Sequence, residues 1–214
     1  VLTQRVRTDT NQLAPFAMAR LPKPLENALT VLRALDRTDY GFEAEMLLLT
    51  GAAERMLMEL AENRTDVIIV PVRMSTLVQR RDAERWLPVA RSVAAPGKRR
   101  LVIEITDLAR DTARSRMTDL VMMVSSLCRA VAFELPGADT GFVSLLPTTV
   151  PLVTITAQRL ANDDGNGHVA AASKLIRLLQ LRNCRLLVKN IVSPIQAMSL
   201  GKAGVPLLLT QQES

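Results

Sequence analysis

With 214 residues, 48% of them hydrophobic but only 3% aromatic, the chain can bury one large aliphatic core of Leu, Val, Ile, Ala and Met, which excludes global disorder. The net charge of +6 comes without aromatic interleaving, a nucleic-acid motif or a long basic tail, so no nucleic-acid partner is expected. No apolar run reaches the roughly 18 residues of a membrane span, and Arg5 and Arg7 leave no signal peptide at the start.

Short β-like runs recur along the chain at Leu2–Val6, Phe16–Leu21, Val67–Val72, Arg100–Ile105, Ala130–Leu135, Leu152–Ile155, Arg185–Val188 and Val205–Leu209. From the third onward most are continuously apolar, as strands covered on both faces should be. Helical patterns lie between most of them. Leu25–Leu35 puts Leu25, Ala28, Leu29, Leu32 and Leu35 on one face, and Phe42–Leu60 repeats the pattern through Met46, Leu49, Ala53, Met56 and Leu60. Ala83–Val93, Thr112–Leu127 with Asp111 as a candidate N-cap, Val169–Leu181 and Ile195–Ala203 complete the set. Pro194 suits the first turn of the last helix, with Ser193 as its cap. The methionines Met56, Met58, Met122 and Met123 sit at helical spacing and read as core rather than as an adaptable binding surface. Arg80, Arg81 and Arg85, then Lys98, Arg99 and Arg100, read as a solvated basic face.

Eight strands with intervening helices predict an α/β fold of the (β/α)8 barrel type, with a doubly wound open sheet as the alternative. The first connection, Arg7 to Pro15, is too short for a helical crossover. The first two strands are therefore expected to be antiparallel, making a modified TIM-like barrel. No linker divides residues 1–214, and the polar run Asn162–His168 reads as a loop. The chain begins with Val1 rather than Met, so one domain forming the C-terminal part of a longer protein is expected. Cys128 and Cys184 lack metal-ligand spacing and read as buried free thiols. That usage suits a cytoplasmic protein, or the cytoplasmic part of a membrane-attached one.

In a barrel, chemistry sits at the C-terminal ends of the strands. Those positions hold Arg20, Arg73, Glu104 followed by Asp107, Leu135-Pro136-Gly137, Thr154 with Thr156, Lys189-Asn190, and Leu209-Thr210. Glu104 reads as the single acid within a strand end. One carboxylate is too few for a divalent-metal hydrolase. The only histidine, His168, reads as a surface loop residue, and no serine elbow, phosphate loop or dinucleotide glycine motif is present.

The order of segments resembles EAL domains, the cyclic-di-GMP phosphodiesterase family, over nearly the whole chain. "VPVRMSTLVQR" and "KRRLVIEITD" look like the family's "VNLSxRQL…LVLEITE", and "RLVIEITD" is the strongest match. "FAMAR" lies where the family has EAL-x-R, "ELPGADTGFVSL" looks like "ALDDFGTGYSSL", and "VTIT" looks like "LKID". "VKNIVSPIQ" looks like "AEGVETxEQ" and "GVPLLLT" like "GCDYVQG". The resemblance implies an EAL-type barrel with an antiparallel first strand, and hydrolysis of cyclic-di-GMP by a water activated on two Mg²⁺ or Mn²⁺ ions.

Measured against that pattern, this chain has lost its chemistry. Phe16 stands for the signature Glu, Arg73 for the Asn ligand, and Pro136 and Gly137 for the paired Asp ligands. Thr154 stands for the water-positioning Lys, Thr156 for the Asp beyond it, Lys189 and Val192 for the two late Glu, and Leu209 for the Gln. Gln4, Arg20 and Glu104 remain as a vestigial ligand pocket. The expectation is therefore no catalytic residue, no metal and no cofactor. Arg73 or Lys189 is expected to pair with Glu104, because a buried Glu without a cation is left uncompensated.

The first functional reading is an inactive EAL-like domain that regulates bacterial signalling by binding a protein partner, which the sequence does not identify. A non-hydrolysing cyclic-di-GMP receptor, supported by Gln4 and Arg20, ranks second, and an active phosphodiesterase last. Cyclic-di-GMP is accordingly not an expected ligand. The resemblance also implies a homodimer through helices near the fifth and sixth strand loops. The shorter segment between Phe142 and Val150 is expected to alter or remove that interface.

Overall fold

The computed structural model describes residues 2–8, 13–22, 25, 39–62, 66–160 and 167–210. Its elements in chain order are β1 (Leu2–Thr8), β2 (Leu13–Arg20), α1 (Asp39–Ala61), β3 (Val67–Arg73), α2 (Met74–Val78), α3 (Arg80–Gly97) and β4 (Leu101–Thr106). Then follow α4 (Arg114–Val124), β5 (Ala130–Glu134), α5 (Thr140–Leu145), β6 (Leu152–Thr156), α6 (Ala157–Leu160), α7 (His168–Gln180), β7 (Arg185–Ile191), α8 (Pro194–Lys202) and β8 (Leu207–Thr210).

The strands close in sequence order into a barrel. β1 runs antiparallel to both β2 and β8, and every other neighbouring pair is parallel. The TIM-like barrel with an antiparallel first strand is thus the observed architecture. A parallel sheet covered by helices explains why the strands read as unbroken apolar runs. In β4, Leu101, Ile103 and Ile105 join the layer shared with the helices, while Val102 joins a second cluster inside the barrel. That inner plug includes Met18, Val67, Ile69, Ala132, Leu152, Leu187 and Leu207. Strand alternation then places the next inward residues, Arg20, Glu104, Glu134, Thr154 and Lys189, in a layer above it.

Local chemistry explains several helix starts. Ser193 caps α8 by accepting from the Gln196 N–H, with Pro194 in the first turn as expected. Asp139 caps α5 by accepting from the Gly141 N–H. Asp111, in contrast, is not a cap: α4 begins after an extended Ala113 with no side-chain cap. The preceding residues are instead held in a turn by the Thr112 N–H donating to the Ala109 carbonyl. His168 is the first residue of α7 rather than part of a loop. The predicted helix Leu25–Leu35 lies outside the described residues, apart from Leu25.

The methionine expectation holds only for Met56, which is buried; Met58, Met122 and Met123 are exposed. Helix geometry gives the reason. Met117, Leu120 and Val124 form the buried face of α4; at about 100° per residue Met122 falls on the opposite side of the helix and Met123 at the edge of that face. The basic-face expectation fails at Arg100, which is buried. Its Nη2 meets Glu59 Oε2 at 2.8 Å, its Nη1 donates to the Met56 carbonyl at 3.1 Å and its Nε to the Asp66 carbonyl at 3.1 Å. This guanidinium ties α1 to the entry of β3 beneath the barrel. Cys128 and Cys184 are free and buried. Burial pushes the Cys184 thiol up to about 11, which suits a packing role rather than thiolate chemistry.

Candidate functional site

The C-terminal ends of the strands surround a cavity of about 250 Å³, lined among others by Arg20, Glu45, Arg73, Glu104, Glu134, Thr156, Lys189 and Asn190. At its centre the Lys189 Nζ lies 2.7 Å from Glu104 Oε1 and 3.4 Å from Glu134 Oε1. Thr154 Oγ1 donates to the same Glu104 oxygen. Glu104 is fully buried, and its other oxygen has no hydrogen-bond partner among the described residues. Arg159, on α6, reaches Glu134 Oε1 at 3.6 Å.

Of the two cations expected beside Glu104, Lys189 is there and Arg73 is not. Arg73 turns to α1, where its Nε is 2.5 Å from Glu45 Oε1 and its backbone N–H donates to the same oxygen at 3.1 Å. Thr76 Oγ1 donates to Glu45 Oε2 at 2.5 Å. Gly41 makes this possible, since a Cβ there would overlap the Arg73 guanidinium. On the neighbouring strand β2, Arg20 Nη1 donates to Gln4 Oε1 at 2.8 Å, and Gln4 Nε2 donates to the Thr210 carbonyl.

The other sequence candidates are dispersed. Thr156 lines the cavity and accepts weakly from the Arg159 N–H at 3.4 Å. Pro136 and Gly137 do not line it, and Gly137 lies beside the Arg110 guanidinium. Phe16 does not line it either. It pairs in register with Val67, the first residue of β3, and packs against the inner apolar plug near the other end of the barrel.

Glu134 corrects the expectation of a single strand-end acid. It is the last residue of β5, and the alternation Ala130, Ala132, Glu134 points it inward. That alternation was the available signal. The reading of the strand end as Leu135-Pro136-Gly137 passed over it by one residue. Glu45 carried no local signal, because it comes from a helix and reaches the mouth only through the tertiary fold.

Electrostatics follow from burial and pairing. Burial pushes the Glu134 carboxyl upward, against the pull of Lys189 and with a further push from Glu104. Burial likewise raises Glu45, against its bonds to Thr76 and Arg73. Burial alone would lower Lys189, but the charges of Glu104 and Glu134 outweigh it and raise the ammonium above its ordinary 10.5. For the two raised carboxyls, the folded state holds the proton more tightly than the unfolded one. Their contribution therefore falls as pH rises from 4.5 through the folded values. For Lys189 the contribution is complete below 10.5 and is lost as pH rises through its folded value. Urea unfolding of wild type and Lys189→Met is expected to differ most near neutral pH, with the gap narrowing above pH 10.5. A gap that stays constant across that range would show that Lys189 is not the charged member of the cluster.

A divalent metal does not fit this donor set. The Lys189 ammonium occupies the space between the two carboxylates, and among the described residues no group of three His, Cys, Asp or Glu side chains could hold an ion. The arrangement can neutralise buried charge and present Arg20 at the cavity wall.

No family model matches the chain, and no curated protein matches it. Solved structures do. The PaMucR phosphodiesterase in complex with c-di-GMP superposes with a TM-score of 0.71 at 15% identity, covering 96% of this chain and 91% of that one. The Xanthomonas citri FimX EAL domain in complex with c-di-GMP gives 0.70 at 12% identity, covering 96% and 83%. The Bacillus subtilis YkuI protein, with an EAL domain and in complex with substrate c-di-GMP and calcium, gives 0.67 at 16% identity, covering 97% of this chain but 52% of that one. At these identities the likeness shows the fold, which is that of EAL domains.

Proposed function

We propose that this EAL-fold barrel is a catalytically inactive regulatory domain that works by binding a protein partner in cyclic-di-GMP signalling. The observation that supports this most is the Lys189 ammonium held between Glu104 and Glu134, where a metal-dependent hydrolase would need acidic and neutral ligands around a cation. The losses at Phe16, Arg73, Pro136, Gly137, Thr154 and Thr156 agree with it. The cavity is also small, below the roughly 300–1,000 Å³ of ordinary ligand pockets. We place the domain in the cytoplasm, in keeping with its free cysteines. Among the described residues no helix is long and apolar enough to cross a membrane.

Incubation with cyclic-di-GMP and Mg²⁺ or Mn²⁺ is expected to yield no linear dinucleotide. Metal-dependent turnover that disappears on Glu104→Ala would overturn the inactive reading.

A second reading, a non-hydrolysing cyclic-di-GMP receptor, is favoured by Arg20, Arg73 and Lys189 meeting at one cavity, since cations attract phosphates. Against it, Arg73 and Lys189 are already paired with carboxylates. Calorimetry separates the two. A micromolar or tighter constant supports the receptor, and its absence, with partner capture that ignores the nucleotide, supports the protein-binding module.

A further inference from the structure

Glu104 is fully buried and lines the mouth cavity of about 250 Å³. Its Oε1 accepts from Thr154 on β6 and Lys189 on β7, while its Oε2 has no hydrogen-bond partner among the described residues. The adjacent strands supply no donor at that level. Glu104 is in register with Pro71 on β3 and Ala132 on β5. Neither side chain carries a donor, and Pro71 has no backbone N–H. A buried acceptor left unmade costs free energy, and a charged one costs more than a neutral one.

Charge points the same way. Glu104 and Glu134 share one buried ammonium, that of Lys189. Arg159 approaches Glu134 at 3.6 Å with its side chain 43% exposed, so water screens that contact. Two other cations of the cavity wall are engaged elsewhere, Arg73 on Glu45 at 2.5 Å and Arg20 on Gln4 at 2.8 Å. Glu104 thus calls for a group that brings a donor and a positive charge together. Water brings only the donor.

The rest of the lining says what such a group is attached to. Met18, Leu21, Ala44, Leu48 and Pro71 give the cavity an apolar wall. At about 30 Å³ per water, the cavity takes roughly eight waters, enough for a short alkyl chain. A hydrated ion would leave the apolar wall against water, whereas an alkyl stem covers it.

We propose that the mouth cavity binds a primary alkylammonium group, its ammonium donating to Glu104 Oε2 and its stem lying on the apolar wall. Two carriers share that chemistry: a free amine, and a lysine side chain of a partner protein. The second rests on the protein-binding reading above; the first stands apart from it.

The test uses the whole chain with its Glu side-chain carboxyls labelled with ¹³C. It is titrated at neutral pH with n-butylamine, which is the lysine side chain without its backbone. The Glu104 carboxyl signal is expected to move saturably, with a constant below about 10 mM. Tetramethylammonium carries the charge without an N–H, and acetate carries the opposite charge; neither should reproduce the shift. Glu104→Gln is expected to weaken binding by about tenfold or more, read at the Glu134 signal. Thr156→Phe should weaken it as much, by filling the cavity from the partly exposed end of β6, where the Thr156 hydroxyl accepts only at 3.4 Å. Circular dichroism checks both folds, and Thr156→Phe decides the matter if Glu104→Gln does not fold. The proposal fails if butylamine gives no saturable shift below that limit, if tetramethylammonium or acetate matches it, or if either folded variant binds as wild type does. It also fails if cyclic-di-GMP moves these signals and butylamine does not. A capped lysine peptide separates the carriers. Binding of both probes supports the proposal with a partner's lysine as the occupant, and binding of butylamine alone supports it with a free amine. Cyclic-di-GMP turnover on the same samples would remove the inactive reading and leave the amine result standing; failure of butylamine to bind would remove this inference alone.

Discussion

Lys189→Met is expected to lower the unfolding free energy by about 3–5 kcal/mol at neutral pH, the usual loss when one partner of a buried ion pair is removed. The variant keeps a side chain of similar length, so little of the effect comes from a cavity. What remains among the described residues is Glu104, fully buried with only Thr154 donating to it, and Glu134, with Arg159 at 3.6 Å as its remaining cation. Two facing carboxylates repel, and burial already pushes Glu134 upward with Lys189 in place. In the variant Glu134 is expected to take up a proton well above the ordinary carboxylate range. The deficit should therefore shrink as pH falls, because protonation removes the uncompensated charge. Adding Glu104→Gln and Glu134→Gln should recover part of the loss. Urea unfolding of the single and triple variants at neutral and acidic pH measures all of this. A single variant within 1 kcal/mol of wild type at neutral pH, on the order of ordinary surface substitutions, would mean that Lys189 does not hold the mouth together.

The second large effect lies below the barrel. Arg100→Met is expected to cost about 3–5 kcal/mol, again by breaking a buried pair from one side. Among the described residues Glu59 would keep only Arg55, whose Nε lies 2.9 Å from its Oε1 and which is itself partly exposed. The carbonyls of Met56 and Asp66 would lose their donor at the same time. Glu59→Met should also destabilise. The double variant should then lose less than the sum of the two singles, because it leaves no orphaned charge. A double-mutant cycle reads that coupling directly. Strict additivity would show that Arg100 works through the carbonyls alone, and that Glu59 is a bystander.

These two clusters also mark where the sequence was legible. The strands from the third onward were readable because a parallel strand covered by helices has nowhere to expose a polar residue, and the runs Val67–Val72 and Leu101–Ile105 show that constraint. The antiparallel first pair followed from a connection too short to hold a helix. The expectation that Glu104 needs a cation was also readable, since a Glu inside an apolar strand is a buried charge wherever the strand goes. The sequence did not say which cation. Arg73 and Lys189 both follow strand ends, and only the placement of Glu45 and Gly41 on α1 draws Arg73 aside. Glu134 was legible in the alternation of β5 but fell just before the assumed strand end. Arg100 read as part of a surface run, because nothing local distinguishes it from Arg99.

What the sequence determined by itself was the frame: the number of strands, the burial of the parallel ones on both faces, and the antiparallel pairing at the first connection. These depend on periodicity and on residue type, which are local. The tertiary structure alone decided which charges neutralise one another. Glu45, Glu104 and Glu134 come from α1, β4 and β5, and their cations from β3 and β7, elements separated by up to 85 positions in the chain. Barrel closure brings them within a few ångströms, where low polarity makes each pairing decisive. Lys189, arriving from across the barrel, places its ammonium between Glu104 and Glu134 at the cavity.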